Sequence, residues 1–126
     1  MNIDAIAYAN DWVAAWNAHD IEPILAHFHD DAVFTSPFAI RVRPESGGRL
    51  VGKAAIRDYW TAGLKAIPDL HFTVETVFAG VDTIVIQYVN QIGVRVSEVL
   101  KFQDGLVIEA GGTYPPQLVN PTGAQG

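Results

Sequence analysis

The stretch Val94-Arg95-Val96-Ser97-Glu98-Val99-Leu100-Lys101-Phe102 decides how the rest of the chain is interpreted. Its residues alternate as expected for a β-strand, in which successive side chains point to opposite faces. One face carries Glu98 among apolar neighbours, namely Val94, Val96, Leu100 and Phe102. A carboxyl group on a buried face is costly unless it is paired, hydrogen-bonded or protonated. Glu98 is therefore either a structural acid or the working group of a pocket, and the strand alone leaves both open.

The composition is typical of one globular domain. The chain has 126 residues, of which 49% are hydrophobic, and this is enough to bury a sizeable core. No apolar run approaches the roughly 20 residues of a membrane span. The N-terminus lacks the basic and then apolar pattern of a signal peptide. We therefore expect a cytoplasmic protein that does not interact with membranes.

Charge and cysteine content narrow the possible chemistry. The net charge is −6 and the eight Lys and Arg residues are scattered, whereas nucleic-acid binding needs a clustered basic surface. The chain has no cysteine, which excludes disulfides, thiolate ligands and cysteine nucleophiles. His27 and His29 are two residues apart, a spacing that does not suit a helical pair of metal ligands. We expect no nucleic-acid partner, no metal site and no cofactor.

Hydrophobic periodicity predicts three helices in the first half of the chain. Residues 3–18 place Tyr8, Trp12 and Trp16 on one apolar stripe. Asp20 is a good N-cap for a second helix, and Gly52 opens a third that is stopped by Pro68. The apolar positions of the second helix are Ile21, Ile24, Leu25 and Phe28; those of the third are Ile56, Tyr59, Trp60, Gly63, Leu64 and Ile67.

The remaining segments are predicted to be strands and loops. Residues 32–37 form a short strand whose inward side chains are either Val33 and Thr35 or Phe34 and Ser36. Residues 39–51 form a long loop. Period-two alternation then predicts strands at 70–79, 83–92, 94–102 and 106–114, followed by a loose C-terminal tail at 115–126. The order predicts one α+β domain, residues 1–114, with helices on one face of a strongly curved, mainly antiparallel sheet.

Three strings of the chain carry a family resemblance: WNAHDIEPILAHFHDDAVFTSP (Trp16–Pro37), VGKAAIRDYW (Val51–Trp60) and SEVLKFQDGLV (Ser97–Val107). They resemble the SnoaL-like and ketosteroid-isomerase-like members of the nuclear transport factor 2 superfamily. The resemblance covers residues 3–114 and implies a conical α+β barrel that encloses one deep apolar pocket. It is specific for the fold and weak for the activity, because this scaffold hosts many functions.

The same resemblance assigns residues to the pocket. Glu98 matches, in kind and place, an acid that the isomerases keep protonated to hold an oxyanion. The isomerases' aspartate base is replaced by Ser36 and their tyrosine donor by Trp12, so the resemblance does not imply steroid isomerisation in its usual form. The epoxide-hydrolase Asp-Arg-Asp set is not matched either, because Arg95 faces away from Glu98. The implied substrate-binding residues are Trp12, Phe28, Ser36, Trp60, Ile86, Gly112 and Tyr114.

Three functions remain open at this point. The first is a cofactor-free isomerase or cyclase that acts next to a carbonyl of a small apolar substrate. Glu98 would be its acid/base, and Tyr88, Asn90 and Tyr114 would orient the substrate or a water. The second is a non-catalytic binding protein for a small apolar ligand. The third is a module whose pocket is filled by its own side chains. Because no Lys or Arg shares the face of Glu98, we expect its pKa to be raised.

The composition of the sheet's outer face indicates a homodimer, which the family resemblance also implies. Its side chains are short and mostly uncharged, unlike those of a fully solvated sheet. The residues assigned to this face are Val85, Gln87, Val89, Gln91, Ser97, Val99, Val107 and Thr113.

Overall fold

The computed structural model describes residues 1–119, which contain five α-helices and six β-strands. The helices are α1 (Ala5–Asn17), α2 (Glu22–Leu25), α3 (Ala39–Val42), α4 (Lys53–Ala66) and α5 (Pro116–Val119). The strands are β1 (Phe28–Thr35), β2 (Arg49–Val51), β3 (Thr73–Ala79), β4 (Thr83–Val89), β5 (Arg95–Gln103) and β6 (Leu106–Thr113).

All six strands form one curved sheet in the order β2-β1-β6-β5-β4-β3. Neighbouring strands are antiparallel except β1 and β6, which run parallel. Helix α1 packs on β3, and α4 packs on β1, so the helices cover one face of the sheet. The predicted α+β architecture, with helices on a strongly curved and mainly antiparallel sheet, is confirmed.

Strand β5 has the predicted alternation of buried and exposed side chains. It ends in the two-residue turn Asp104-Gly105, whose φ angles of 54° and 82° are the positive pair that such a hairpin turn requires. The register places Glu98 opposite Gly112 of β6 on one side and opposite Ile86 of β4 on the other. The buried residues of this strand are Val96, Glu98, Leu100 and Phe102.

The second helix is shorter than the apolar pattern predicts. Helix α2 ends at Leu25, and Phe28 begins β1, where it pairs with Val107 of β6. The N–H of Val107 donates to the carbonyl oxygen of His27 at 2.8 Å. All four residues of the pattern are buried, so the prediction was correct about burial. It was wrong about Phe28, because burial alone does not distinguish a last helical turn from the start of a strand.

The segment 39–51, predicted as a loop, contains α3, a 3₁₀ turn at Pro44–Ser46 and the strand β2. Strand β2 pairs with β1, so that Leu50 lies opposite Phe34 and both are buried. A three-residue strand is too short to show a periodic pattern, which is why the sequence did not indicate it. Of the two alternatives for the inward residues of β1, the structure shows Phe34 and, just beyond the end of the strand, Ser36, because both are buried.

Two residues assigned to the outer face lie elsewhere. Val107 is fully buried because an irregularity after Lys101 shifts β6 by one residue, so that Val107 pairs with Phe102. Gln91 follows the end of β4 and lines the cavity described below. Simple alternation fails at Val107 because one extra residue reverses the face that a side chain occupies, and it fails at Gln91 because the strand has already ended at Val89.

The predicted tail is partly helical. Helix α5 occupies Pro116–Val119, and the rest of the predicted tail, residues 120–126, lies outside the described residues. Within residues 1–119, no helix combines the length and the apolar character that crossing a membrane would require.

Candidate functional site

A cavity of about 570 Å³ lies between the inner face of the sheet and helices α1 and α4. This volume is within the range of small-molecule sites in proteins. The cavity wall, meaning the residues that line the cavity, is mainly apolar and rich in aromatic rings. Its rings belong to Trp12, Trp16, Phe34, Phe38, Tyr59, Trp60, Phe72, Tyr88 and Tyr114. A space of this size argues against the interpretation that the protein's own side chains fill the pocket.

Most of the predicted site residues lie in this wall. They are Trp12, Ser36, Trp60, Tyr88, Asn90, Glu98, Gly112 and Tyr114. Phe28 and Ile86, in contrast, were assigned to the pocket and lie in the core behind it. Phe28 is 2% exposed and packs edge-on against Trp60, with ring centroids 5.4 Å apart. Ile86 is fully buried beside Glu98 in the sheet. Both residues support wall residues and do not line the cavity.

Glu98 carries the one carboxyl group among the described residues of the cavity wall. It is 5% exposed and takes part in none of the ion pairs within residues 1–119. Burial raises the pKa of Glu98 to about 8, because removal from water disfavours the charged form. At neutral pH the group is therefore mostly a neutral acid that can donate a hydrogen bond, with a minor ionised fraction.

Gly112 leaves space beside this carboxyl group. A methyl group at Gly112 would lie 3.5 Å from Oε1 of Glu98, 3.6 Å from Cε1 of Tyr114 and 3.8 Å from Oγ of Ser36. Three side chains from β5, the end of β1 and the end of β6 thus surround one small volume. A larger side chain at position 112 would fill that volume, so glycine keeps Glu98 accessible from the cavity.

Three phenols of the wall stand near Glu98. Burial raises the pKa of Tyr59, Tyr88 and Tyr114, the last to about 12, and negative charge on Glu98 adds to each rise. The nearby hydroxyl of Ser36, which can donate to a phenolate, opposes the rise in the pKa of Tyr59 and Tyr114. All three phenols therefore stay protonated at neutral pH and can donate to an oxygen atom of a ligand.

Asn90 has a structural role in addition to its place in the wall. Its Oδ1 accepts hydrogen bonds from the N–H groups of Ile92 at 3.1 Å and Val94 at 2.9 Å. These bonds hold the turn between β4 and β5. The oxygen is thus committed to the backbone, and the side-chain Nδ2 group is the part of Asn90 that can meet a ligand.

Several wall residues were not found by sequence reasoning. Ile40 and Arg41 come from the segment 39–51 predicted as a loop, and Phe38 lies just before it in no predicted element, so nothing in the sequence indicated where the three point. Tyr59 was recognised on the apolar stripe of α4, but periodicity does not separate pocket from core. Gln91 was assigned to the outer face; its Oε1 is buried and has no hydrogen-bond partner in the described part of the chain.

The wall residues suit an organic ligand better than a metal ion. Within residues 1–119, no three His, Asp or Glu side chains lie close enough together to share a metal ion. The polar groups of the wall are instead single hydroxyl, amide, carboxyl and guanidinium groups spread over an apolar surface. This is the usual make-up of a site that orients a small organic molecule.

The fold and the cavity define a small-molecule pocket protein. Residues 9–110 match the family model of the SnoaL-like domain, and the chain therefore belongs to the SnoaL-like family. The predicted membership of the nuclear transport factor 2 superfamily is confirmed. Comparison with curated proteins gives no match.

Solved structures share the fold over nearly the whole chain. A SnoaL-like protein of unknown function from Burkholderia thailandensis is 38% identical, with a TM-score of 0.82 over 88% of this chain and 93% of that one. TerC, co-crystallised with polyporic acid, is 16% identical, with a TM-score of 0.72 over 93% and 95% of the two chains. An NTF2-like protein of unknown function from Cytophaga hutchinsonii is 10% identical, with a TM-score of 0.69 over 94% and 96%.

Proposed function

We propose that the cavity binds a small, mostly apolar carbonyl compound and that Glu98 transfers a proton at the carbon next to the carbonyl. One observation carries this proposal: a carboxyl group with a pKa of about 8 lines an apolar cavity. A group whose pKa lies near the working pH is effective both as proton donor and as proton acceptor. At pH 7 a minor fraction of Glu98 is ionised, and this fraction can act as a base because the carboxylate is regenerated in every turnover.

The reaction begins with the ionised form of Glu98. Its carboxylate takes the proton from the carbon next to the carbonyl; the C–H electron pair becomes a carbon–carbon double bond, and the carbonyl oxygen becomes an enolate. The protonated phenols of Tyr59, Tyr88 and Tyr114 are suitable donors to that oxygen, and donors that are already oriented stabilise the developing charge.

Two outcomes follow from the enolate. In an isomerisation, Glu98 returns the proton to another carbon of the conjugated system. In a cyclisation, the enolate carbon attacks a second carbonyl of the same molecule, and Glu98 gives its proton to the resulting alkoxide. The proton and the electron pair stay within substrate and protein in both cases, so the proposed reaction needs no cofactor.

Hydrogen exchange tests the proposal directly. Ketones with one to three rings are incubated with the protein in deuterated water, and loss of the α-proton signal is followed by NMR. We expect exchange above the buffer rate with the native protein, and a loss of at least about 100-fold with Glu98→Gln, since general acid–base catalysis typically contributes that much. Glu109→Gln is the matched control, because Glu109 is an exposed carboxylate on β6. No exchange with any bound ketone would contradict the proposal.

A non-catalytic binding protein is the second candidate, and the composition of the wall favours it. Glu98 is the single carboxyl group among the described wall residues, and none of them is a histidine. Ser36 occupies the position where the related isomerases carry their base, and a hydroxyl does not act as a base unaided. For this candidate we expect ketones to bind without exchange, and Glu98→Gln to leave their affinity unchanged within about twofold.

A further inference from the structure

Arg41 is the one cationic side chain among the described residues of the cavity wall. It lies on α3 and is exposed, so it belongs to the mouth of the cavity and not to its interior. The other exposed wall residues include large hydrophobic side chains: Ile40, Ile92, Leu118 and Val119. The mouth therefore presents one guanidinium group beside an apolar surface.

Arg41 has no carboxylate partner within residues 1–119. The four ion pairs of this part of the chain join Arg43 to Asp58, Lys53 to Asp30, Arg57 to Glu22 and Arg95 to Glu75. The chain has 14 acidic residues and only eight basic ones, so carboxylates are plentiful. Arg43, only two residues away on the chain, has Asp58 as its partner. Arg41 thus offers its hydrogen-bond donors to whatever occupies the mouth.

The surrounding charge limits which anion suits this position. Glu98 does not neutralise Arg41, because it is mostly protonated at neutral pH. A single guanidinium group with no second cation in the described wall matches a monoanion better than a phosphate, which usually recruits several positive groups. The planar fork of arginine matches a carboxylate or an acidic enol. The net charge of −6 also disfavours ligands of high negative charge.

We infer that the ligand of this cavity is an apolar carbonyl compound that also carries one acidic group, a carboxylate or an acidic enol, which Arg41 holds at the mouth. The inference rests on the proposed function in that it assumes a small molecule in the cavity. It adds the substrate class: the carbonyl end reaches Glu98 and the anionic end stays near solvent. Arg41 then sets which end of the ligand enters first.

Two fluorescent probes of nearly the same shape test the inference. The anionic probe is 8-anilinonaphthalene-1-sulfonate, and the neutral probe is N-phenyl-1-naphthylamine, which lacks the sulfonate. Titration of the native protein with each probe gives two dissociation constants, and displacement of one probe by the other shows that they share a site. We expect Arg41→Gln to weaken the anionic probe by about two- to fivefold, as expected for an exposed ion pair, and to leave the neutral probe unchanged.

Arg49→Gln is the matched control variant. Arg49 is exposed on β2, forms no ion pair within residues 1–119 and does not line the cavity. The substitution Arg49→Gln should change the dissociation constant of neither probe. If Arg41→Gln weakens both probes equally or neither, the acidic-ligand inference is wrong while the small-molecule cavity stands. If neither probe binds the native protein, both the inference and the binding step of the proposed function are overturned.

Discussion

Glu98 and Gly112 lie opposite each other across the β5–β6 ladder, and the missing side chain of the glycine leaves Oε1 of Glu98 open to the cavity. A β-carbon at position 112 would stand 3.5 Å from that oxygen. The cross-strand pair thus combines a carboxyl group of raised pKa with the space that a reacting carbon needs. The effect of filling that space is the first prediction.

Gly112→Ala should reduce ligand affinity and α-proton exchange without unfolding the protein. The new methyl group meets Glu98, Tyr114 and Ser36 at ordinary van der Waals distances of 3.5 to 3.8 Å. We expect the free energy of unfolding to change by less than about 1 kcal/mol, because alanine also restricts the unfolded chain. Urea denaturation measures the free energy of unfolding, probe titration measures ligand affinity, and NMR measures α-proton exchange.

Gly111→Ala is the contrasting variant for this prediction. Its methyl group would lie 2.6 Å from Oγ1 of Thr35, on the other face of the sheet. It should therefore destabilise the fold by about 1–3 kcal/mol through overpacking and leave ligand affinity nearly unchanged. Equal loss of affinity in both variants would show that the space beside Glu98 is not part of the site.

Glu98→Gln should change the pH dependence of stability. The pKa of Glu98 is raised from 4.5 to about 8 on folding, so the folded state binds this proton more tightly. The resulting stabilisation is fully present below pH 4.5 and is lost as pH rises through 8. Glutamine does not titrate, so the stability of the variant relative to the native protein should increase by several kcal/mol from pH 5 to pH 8.5. Parallel curves from urea denaturation would mean that Glu98 keeps an ordinary pKa.

Trp60→Ala should destabilise the protein strongly, in addition to any effect on binding. The ring of Trp60 packs on Trp16, Phe28 and Phe34, with centroid distances of 5.1, 5.4 and 5.4 Å. Loss of such a buried ring costs about 3–5 kcal/mol. Ile40→Ala is the better variant for measuring the contribution of the cavity wall to ligand binding, because Ile40 lines the cavity yet is 51% exposed. This substitution should lower the free energy of unfolding by less than about 1 kcal/mol. A small effect of Trp60→Ala on the urea midpoint would contradict its central packing role.

Two variants of Asn90 distinguish its role in holding the turn between β4 and β5 from a role in ligand binding. Asn90→Ala removes both hydrogen bonds that Oδ1 accepts from the backbone N–H groups of Ile92 and Val94 and should cost about 1–3 kcal/mol. Asn90→Asp keeps an acceptor for these bonds and should retain most of the stability. Both variants lack the Nδ2 donor, so a loss of ligand affinity in Asn90→Asp that Asn90→Ala shares would assign that donor to binding. If neither variant changes affinity, Asn90 serves the turn only.

A homodimer through the outer face of the sheet remains a prediction. One row across this face consists of Phe78, Val85, Val99 and Gly111, and Phe78 is 55% exposed. We expect light scattering at micromolar concentration to give twice the chain mass of 13.7 kDa. Val99→Lys should shift the mass toward the monomer, since a buried charge disfavours an apolar interface. Lys101→Gln, on the same strand, is the control. A monomeric native protein would refute the prediction.

The local elements of this fold follow from the sequence by itself. The alternation in β5, the stripes of α1 and α4 and the Asp104-Gly105 turn depend on residues close together in the chain, where periodicity and backbone preference act directly. The family resemblance assigns Glu98, Ser36 and Tyr114 to one pocket, and the structure brings them together around Gly112.

Other features of the fold and the site were decided only by the tertiary structure, because they depend on contacts between segments that are distant in the sequence. Phe28 is in a strand and not in the predicted helix because β1 pairs in parallel with β6. Val107 points inward because the register between β5 and β6 shifts after Lys101. The presence of Arg41 and Gln91 in the cavity wall follows from how α3 and the β4–β5 turn meet the sheet. The raised pKa of Glu98 also depends on the tertiary structure, because removal of its carboxyl group from water is a property of the assembled core and not of one strand.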